Sequence, residues 1–385
     1  MEIYILDDLL RRIDVIDLYE SFIWTDRWKD IGDFELVVHT TNQNRRRLTA
    51  GTQMVHHGSK RIMTIETVED KKDDDGRALL TVKGSSAEQI LDDRTASDGV
   101  SKEWTVTGTP GDIARQIFKS ICVDGILSTS DIIPFIKPGT LSPASTIAEP
   151  STVFSAAIPI STVYEAIKEL CDVYDLGFRL IRNGDKSELY FEIYTGNDRT
   201  TQQSANAPVV FSPDLDNLTN VTELTSIAQS KNVAYVISPN DSVIVYGVGA
   251  DETTVGFDRR VLHIDASDVT EPAGPELTAI LMNKGLDELA KTRPLYAFDG
   301  EINQYGKYKY GIHYDLGDLV EMRNSDGATN HMRVTEQIFV SDSEGDRSYP
   351  TLTIDRFIMP GTWDSWGNET WDGGDQDDVW DSEDN

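Results

Sequence analysis

Phe34, Leu36 and Val38 alternate with Glu35, Val37 and His39, so one face of this segment is apolar throughout. Only an extended strand puts every second side chain on one side, which marks a half-buried β-strand. Ile3 to Leu6, Arg61 to Val68 and Ala78 to Lys83 fit further strands. Between the last two, Asp73-Asp74-Asp75-Gly76 ends in an Asp-Gly pair that favours a tight hairpin turn. It lacks the alternate ligand spacing and the later glutamate of a calcium loop. Ser85 and Glu88 have the spacing of a capping box ahead of Ile90 and Leu91, predicting a short closing helix. Residues 1–95 therefore read as a first antiparallel β-domain.

Residues 96–205 read as a mixed α/β domain. Thr109-Pro110 opens a helix with Ile113, Ile117 and Ile121 on one stripe. Thr162 and Glu165 form a second capping box, followed by Val163, Ile167, Leu170, Cys171 and Tyr174 at helical spacing, with a stop near Gly177. Strands fit Phe178 to Ile181 and the alternating Leu189, Phe191 and Ile193. Between the helices, residues 124–158 hold Pro134, Pro138, Pro143 and Pro150 with little pattern. Segments of this length without elements are arms with a function or disordered stretches; an arm reaching a neighbouring subunit is one reading, disorder in the free protein the other.

From Ala207 the pattern returns to β, with strands at Val209 to Phe211, Val221 to Ile227, Val233 to Ile237, Val243 to Val248 and Val261 to Ile264. Pro275 opens a helix, Ala279, Met282, Leu286 and Leu289 share a face, and Pro294 ends it. Strands resume at Leu316 to Met322, Met332 to Val340 and Thr351 to Ile354. The order fits a second, barrel-like β-domain of 206–238 and 295–360 with an inserted sub-domain of 239–294. The last segment, 361–385, carries nine acidic residues and no basic one beside Trp363, Trp366, Trp371 and Trp380. It cannot build a core of its own, and tryptophans anchor interfaces well, so these four are the candidate interaction residues.

Chemistry-bearing motifs are scarce. The chain has no phosphate-binding loop, nucleophile elbow, zinc helix or Cys-x-x-Cys pair. His56 and His57 are adjacent, and on a strand they face opposite sides, a poor arrangement for one metal. Cys122 and Cys171 fall on apolar helix faces and are expected as buried free thiols. No catalytic residue, metal or cofactor is assigned. The net charge of -31 repels phosphate backbones and argues against gripping nucleic acid; it suits solubility, and equally a surface that DNA passes without sticking. No apolar run approaches the ~18–20 residues of a membrane-spanning helix. The N-terminus enters a strand directly, so folding in a cytoplasm is expected.

Several segments in order resemble a known family. They include Ile23-Trp24-Thr25-Asp26-Arg27 with Gly32-Asp33-Phe34-Glu35-Leu36, and Gly84-Ser85-Ser86-Ala87-Glu88-Gln89-Ile90-Leu91-Asp92-Asp93-Arg94. They continue with Phe191-Glu192-Ile193-Tyr194-Thr195-Gly196-Asn197-Asp198-Arg199-Thr200, Val210-Phe211-Ser212-Pro213, Asp216-Asn217-Leu218, Asn232-Val233-Ala234-Tyr235-Val236 and Tyr310 to Val320. Together they resemble siphophage tail-tip hub proteins, which are related to the central baseplate hub of contractile-tailed phages. The resemblance implies a β-rich α+β multidomain chain with two antiparallel β-barrels like tail-tube subunits and two smaller α/β domains.

It also implies a homotrimer whose six barrels form a pseudo-six-fold ring. That ring would join the hexameric tube and other distal tail proteins, including the tape-measure protein, to tip fibres or receptor-binding proteins. DNA would pass through during ejection without specific binding, and the protein would reside in the virion. Gly32, Gly84, Gly196 and Gly317 are expected at turns, with Asp33, Asp198 and Asp318 capping them through backbone amides. Arg199 either pairs with an acidic residue across a subunit contact or stays solvated. Two other functions compete: a tail-associated cell-wall hydrolase using a carboxylate pair, and a receptor- or glycan-binding tip protein.

Overall fold

The structure is a computed structural model. It describes residues 1–356 apart from 73–75, 185, 248, 270–271, 293, 303–306 and 324–328. The alternating segments form strands as expected: Ile3–Leu6, Asp33–His39, Met63–Lys72 and Ala78–Ser86. In Asp33–His39, Phe34, Leu36 and Val38 are buried, while the side chains between them are partly exposed. The Asp73–Asp75 turn lies outside the described residues.

The chain is a β-rich α+β protein whose described residues form one mixed sheet of thirteen strands, with four small sheets beside it. The two barrels expected from the resemblance are not closed barrels among the described residues. The strands instead lie on a single open path. It runs from Leu218–Ser226 through Leu295–Ile302, Gly345–Arg356 and Thr329–Asp342, then through the N-terminal strands to Arg12–Ile16. The reason is in the pairing: Ser21–Arg27 spends one edge on Asp33–His39 and the other on Thr329–Asp342, with Trp24 opposite Phe339 and Asp26 opposite Gln337. Two β blocks from opposite ends of the chain thus become one sheet. Its far edge, Arg12–Ile16, has no partner on one side among the described residues, with Ile13 63% exposed.

Four cores support this arrangement. Trp24, Phe22, Leu36 and Met54 fill the N-terminal block, and Phe211, Tyr314, Val334 and Leu352 fill the C-terminal one. The largest core belongs to the α/β unit, but Leu6, Leu10, Val55 and Ile62 of the first block enter it, so the two pack as one body. There Thr109 caps the helix Pro110–Phe118, and Ile113, Ile117 and Ile121 are buried. Thr162 and Glu165 make the anticipated capping box, each side chain binding the other's backbone N–H at 3.0 Å. The second helix ends at Asp175 in the left-handed conformation, just before Gly177 begins a strand.

The proline-rich stretch is stitched to its own chain. Ile136–Lys137 pairs with Glu188–Tyr194, Phe154–Pro159 pairs with Glu103–Gly108, and the N–H groups of Leu141 and Ser142 both bind Glu192 at 2.7 Å.

The fourth core lies under the helix Pro275–Lys291. Val233–Ile237 is the middle strand here, antiparallel to Ser242–Tyr246 and parallel to Val261–Asp265. The buried helix face is Leu277, Leu281, Gly285 and Leu289, whereas Met282 and Leu286 are 46% and 48% exposed. The expected face of Ala279, Met282, Leu286 and Leu289 is therefore rotated. Gly285 explains the shift, since a Cβ there would come within 2.5 Å of Val245. The helix lies so close to the sheet that glycine is its contact point.

Candidate functional site

Three parts of the chain meet around the end of Ser21–Arg27. Asp26 is 1% exposed and accepts from Trp24 Nε1 at 2.8 Å and Ser59 Oγ at 2.6 Å. Burial pushes its carboxyl up to about 6, against the opposing pull of Arg61. Arg61 and Glu88 form an ion pair with both side chains buried. Arg61 also donates to the Arg27 carbonyl at 2.8 Å, and Glu88 accepts from the Leu180 N–H at 2.6 Å. Glu88 thus bridges the first block and the α/β unit, which corrects the capping-box reading of Ser85 and Glu88: the 3-10 turn Ala87–Leu91 has no side-chain cap. Breaking such a buried pair leaves an uncompensated charge and costs about 3–5 kcal/mol.

Trp28 follows the same strand and crosses into the core of the second block, where it is 1% exposed. Its N–H binds the Thr335 carbonyl at 2.9 Å, and its carbonyl accepts from Phe178 at 3.2 Å. A Cβ at Gly177 would sit 1.9 Å from the indole nitrogen, and one at Gly317 2.7 Å from it. Arg333 lies over the ring and also binds Asp175 at 2.8 Å. One tryptophan therefore fixes the α/β unit against the second block. Its indole N–H has no partner among the described residues.

The expected turn residues fall into distinct roles. Gly196 and Gly317 have φ of +80° and +83°, and a Cβ on Gly196 would lie 2.0 Å from the Gly317 carbonyl oxygen. Gly84 lies inside a strand rather than at a turn, against the Thr64 carbonyl at a bulge. Asp198 accepts from the Thr200 N–H at 2.8 Å, and Asp318 from Asn197 at 2.7 Å and Asp315 at 3.0 Å, as caps do. Asp33 instead pairs with Arg27 at 2.5 Å. Arg199 is neither solvated nor held for a neighbour: it binds buried Asp318 of its own chain at 2.6 Å.

His56 is buried among aromatic rings, while His57 is exposed. Both cysteines are buried and free, their thiols pushed up to about 12 by burial. Among the described residues no cluster of three metal-ligating side chains exists, and no helix is long and apolar enough to cross a membrane. Trp363, Trp366, Trp371 and Trp380 lie outside the described residues.

One surface feature has no counterpart in the sequence reading. Where the edge strand Arg12–Ile16 approaches the hairpin after Gly177–Asn183, two adjoining clefts of about 340 and 300 Å³ share Arg12 and Gly184. The first also holds Lys60 and Arg182, the second Arg11 and Lys186, and no described carboxylate lines either. The bases come from three segments far apart in the chain, so no local run of charge announces them.

The fold is that of phage tail proteins. A tail protein from Neisseria meningitidis MC58 matches with a TM-score of 0.59 at 13% identity, over 92% of this chain and 96% of that one. The 43 kDa tail protein of prophage MuSo2 from Shewanella oneidensis matches at 0.56 and 13%, over 91% and 97%. A chain of a Francisella PdpA-VgrG complex matches at 0.51 and 9%, over 94% of this chain and 53% of its own. Comparison with curated proteins gives no match. The chain belongs to the Siphovirus ReqiPepy6 Gp37-like protein family, whose pattern covers residues 2–352.

Proposed function

We propose that this protein is a structural subunit of a siphophage tail tip, three copies forming a hub ring at the end of the tail tube. The observation that carries the reading is the join of two β blocks, from the two ends of the chain, through Ser21–Arg27 and Thr329–Asp342. Each chain then presents two β surfaces in a fixed relation, and three chains present six, the number a hexameric tube requires. Trp28 and the Arg61–Glu88 pair lock the blocks and the α/β unit together, as a subunit under load during ejection needs. The blocks are tube-like halves that complete their curvature in the ring.

The tube and tape-measure proteins would lie on one side, and tip fibres or receptor-binding proteins on the other. The polar junction is structural and not catalytic: both groups are buried, Asp26 held by Trp24 and Ser59, and Glu88 held through Oε1 by Arg61 and the Leu180 N–H. The tryptophans of 361–385 dock this ring or its neighbours. Mass in solution, together with a low-resolution image of the particle, tests the proposal. A trimeric ring is expected; a chain that stays monomeric at high concentration overturns it.

A further inference from the structure

We propose that the basic double cleft at Arg12 is the docking site of the chain's own acidic C-terminal segment, residues 361–385. This deepens the tail-docking part of the proposed function and rests on it, while remaining independent of the ring. Charge carries the first step. In a chain of net charge -31, two contiguous clefts are lined by Arg11, Arg12, Lys60, Arg182 and Lys186 with no described carboxylate, against the sign of the whole. Some of these bases have partners: Lys60 pairs with Asp315, Arg11 with Asp7, and Arg182 donates to the carbonyls of Leu10 and Gly184. Arg12 packs over Tyr4 and, like Lys186, meets no carboxylate among the described residues. The segment 361–385 is the complement, with nine acidic residues and no base.

Apolar chemistry carries the second step. Leu141 and Pro143 also line the larger cleft, with Leu141 43% exposed, above the buried Val55 and Ile181. A floor of this kind beside guanidinium groups suits indole rings, which pair apolar faces with cation–π attraction. The four tryptophans of the segment are interleaved with its carboxylates, so one strand of tail meets both halves of the lining.

Reach carries the third. The sheet ends at Arg356, shortly after Leu352, which pairs with Val334. The Val334 carbonyl accepts from Gly317, two residues beyond Asp315, the partner of Lys60. The chain therefore leaves the sheet four residues beyond a row of contacts that leads to Lys60 at the cleft. Residues 357–385 span up to roughly 3.3–3.6 Å each when extended, which reaches the same chain's cleft or a neighbour's. Tethering raises the effective concentration to about the millimolar range. A free nucleic acid has no tether and meets the repulsion of the whole surface.

The test is zero-length carbodiimide cross-linking of the full chain at low and high salt, read by mass spectrometry. Lys60 or Lys186 is expected to join a carboxylate of residues 361–385, with a yield that salt reduces. Arg11→Glu with Arg12→Glu changes two exposed side chains, leaves the reporter lysines in place, and is expected to lower the yield about tenfold. The same variant is expected to raise acrylamide quenching of tryptophan emission. Mixing heavy- and normal-isotope chains assigns the donor, mixed cross-links marking a neighbouring copy. A monomer that still cross-links supports the docking while overturning the ring. Cross-links that ignore the double variant, or join the segment only to lysines elsewhere, overturn it. So does a labelled duplex oligonucleotide that the native chain retains at physiological salt and the variant releases, because the cleft is then a nucleic-acid contact.

Discussion

Asp26 carries a buried carboxyl whose affinity for its proton exceeds that of the unfolded chain. Its ordinary value is 3.8 and burial takes it to about 6. Between these values the native state holds a proton that the unfolded state has lost, so this group's contribution to stability falls as pH rises through the window. It is fully present below the lower value and lost above the higher. Asp26→Asn keeps an acceptor for Trp24 and removes the titration. The stability difference between variant and native chain should therefore move in the variant's favour from about pH 4 to pH 7, by roughly 2–3 kcal/mol. Denaturant midpoints at several pH values measure it, and a flat difference would refute the assignment. None of this was legible in the sequence, where Asp26 is one of 66 acidic residues. Glu88 shows why: Ser85 and Glu88 have the spacing of a cap, but the partner that decides its role, Arg61, lies 27 residues away. Asp198 and Asp318 were readable because their partners include nearby backbone amides at turns.

Most elements with local signals are legible in the sequence, whereas pairings with a distant partner are not. The capping box of Thr162 and Glu165 lies within four residues, and the stripe of Ile113, Ile117 and Ile121 within three turns. The helix Pro275–Lys291 misled because hydrophobic periodicity gives glycine no weight. Gly285 is the closest point to the sheet, so the face passes through Leu277, Leu281 and Leu289 instead of Met282 and Leu286. This assignment predicts opposite outcomes for adjacent positions. Met282→Lys and Leu286→Lys should change stability by no more than about 0.5 kcal/mol, as surface substitutions do. Leu281→Lys buries an unpaired ammonium and should cost several kcal/mol. Thermal melts of the three variants decide; a large loss at Leu286 would restore the original face. The pairing of Ser21–Arg27 with Thr329–Asp342 had no local signal, and the separate barrels inferred from the resemblance met that limit.

At the scale of the whole molecule, charge and architecture pull against each other. In the proposed trimer, three chains of charge -31 would bring about -93 into one ring, and screening extends over ~8 Å at physiological salt against ~30 Å at 0.01 M. Assembly at low salt therefore works against long-range repulsion, whatever apolar and backbone contacts close the ring. The basic cleft offers one counterweight, since an acidic segment docked there sets its carboxylates beside bases and weakens the local field, with the net charge unchanged. Two opposite salt effects follow. Screening weakens general repulsion and favours the ring, while it weakens the local contact between cleft and segment. Repulsion acts over the entire surface and the cleft at one place, so the net effect expected is association that strengthens from about 0.01 M to physiological salt, by roughly tenfold or more in the association constant. Sedimentation across a salt series measures it. The Arg11→Glu, Arg12→Glu variant, with more negative charge and no docked segment, should rise more steeply than the native chain. Association that instead weakens steadily with salt would mean that ion pairs between subunits dominate the ring. In that case the surplus of acid faces inward or outward away from the contacts, and repulsion between subunits is not what limits assembly.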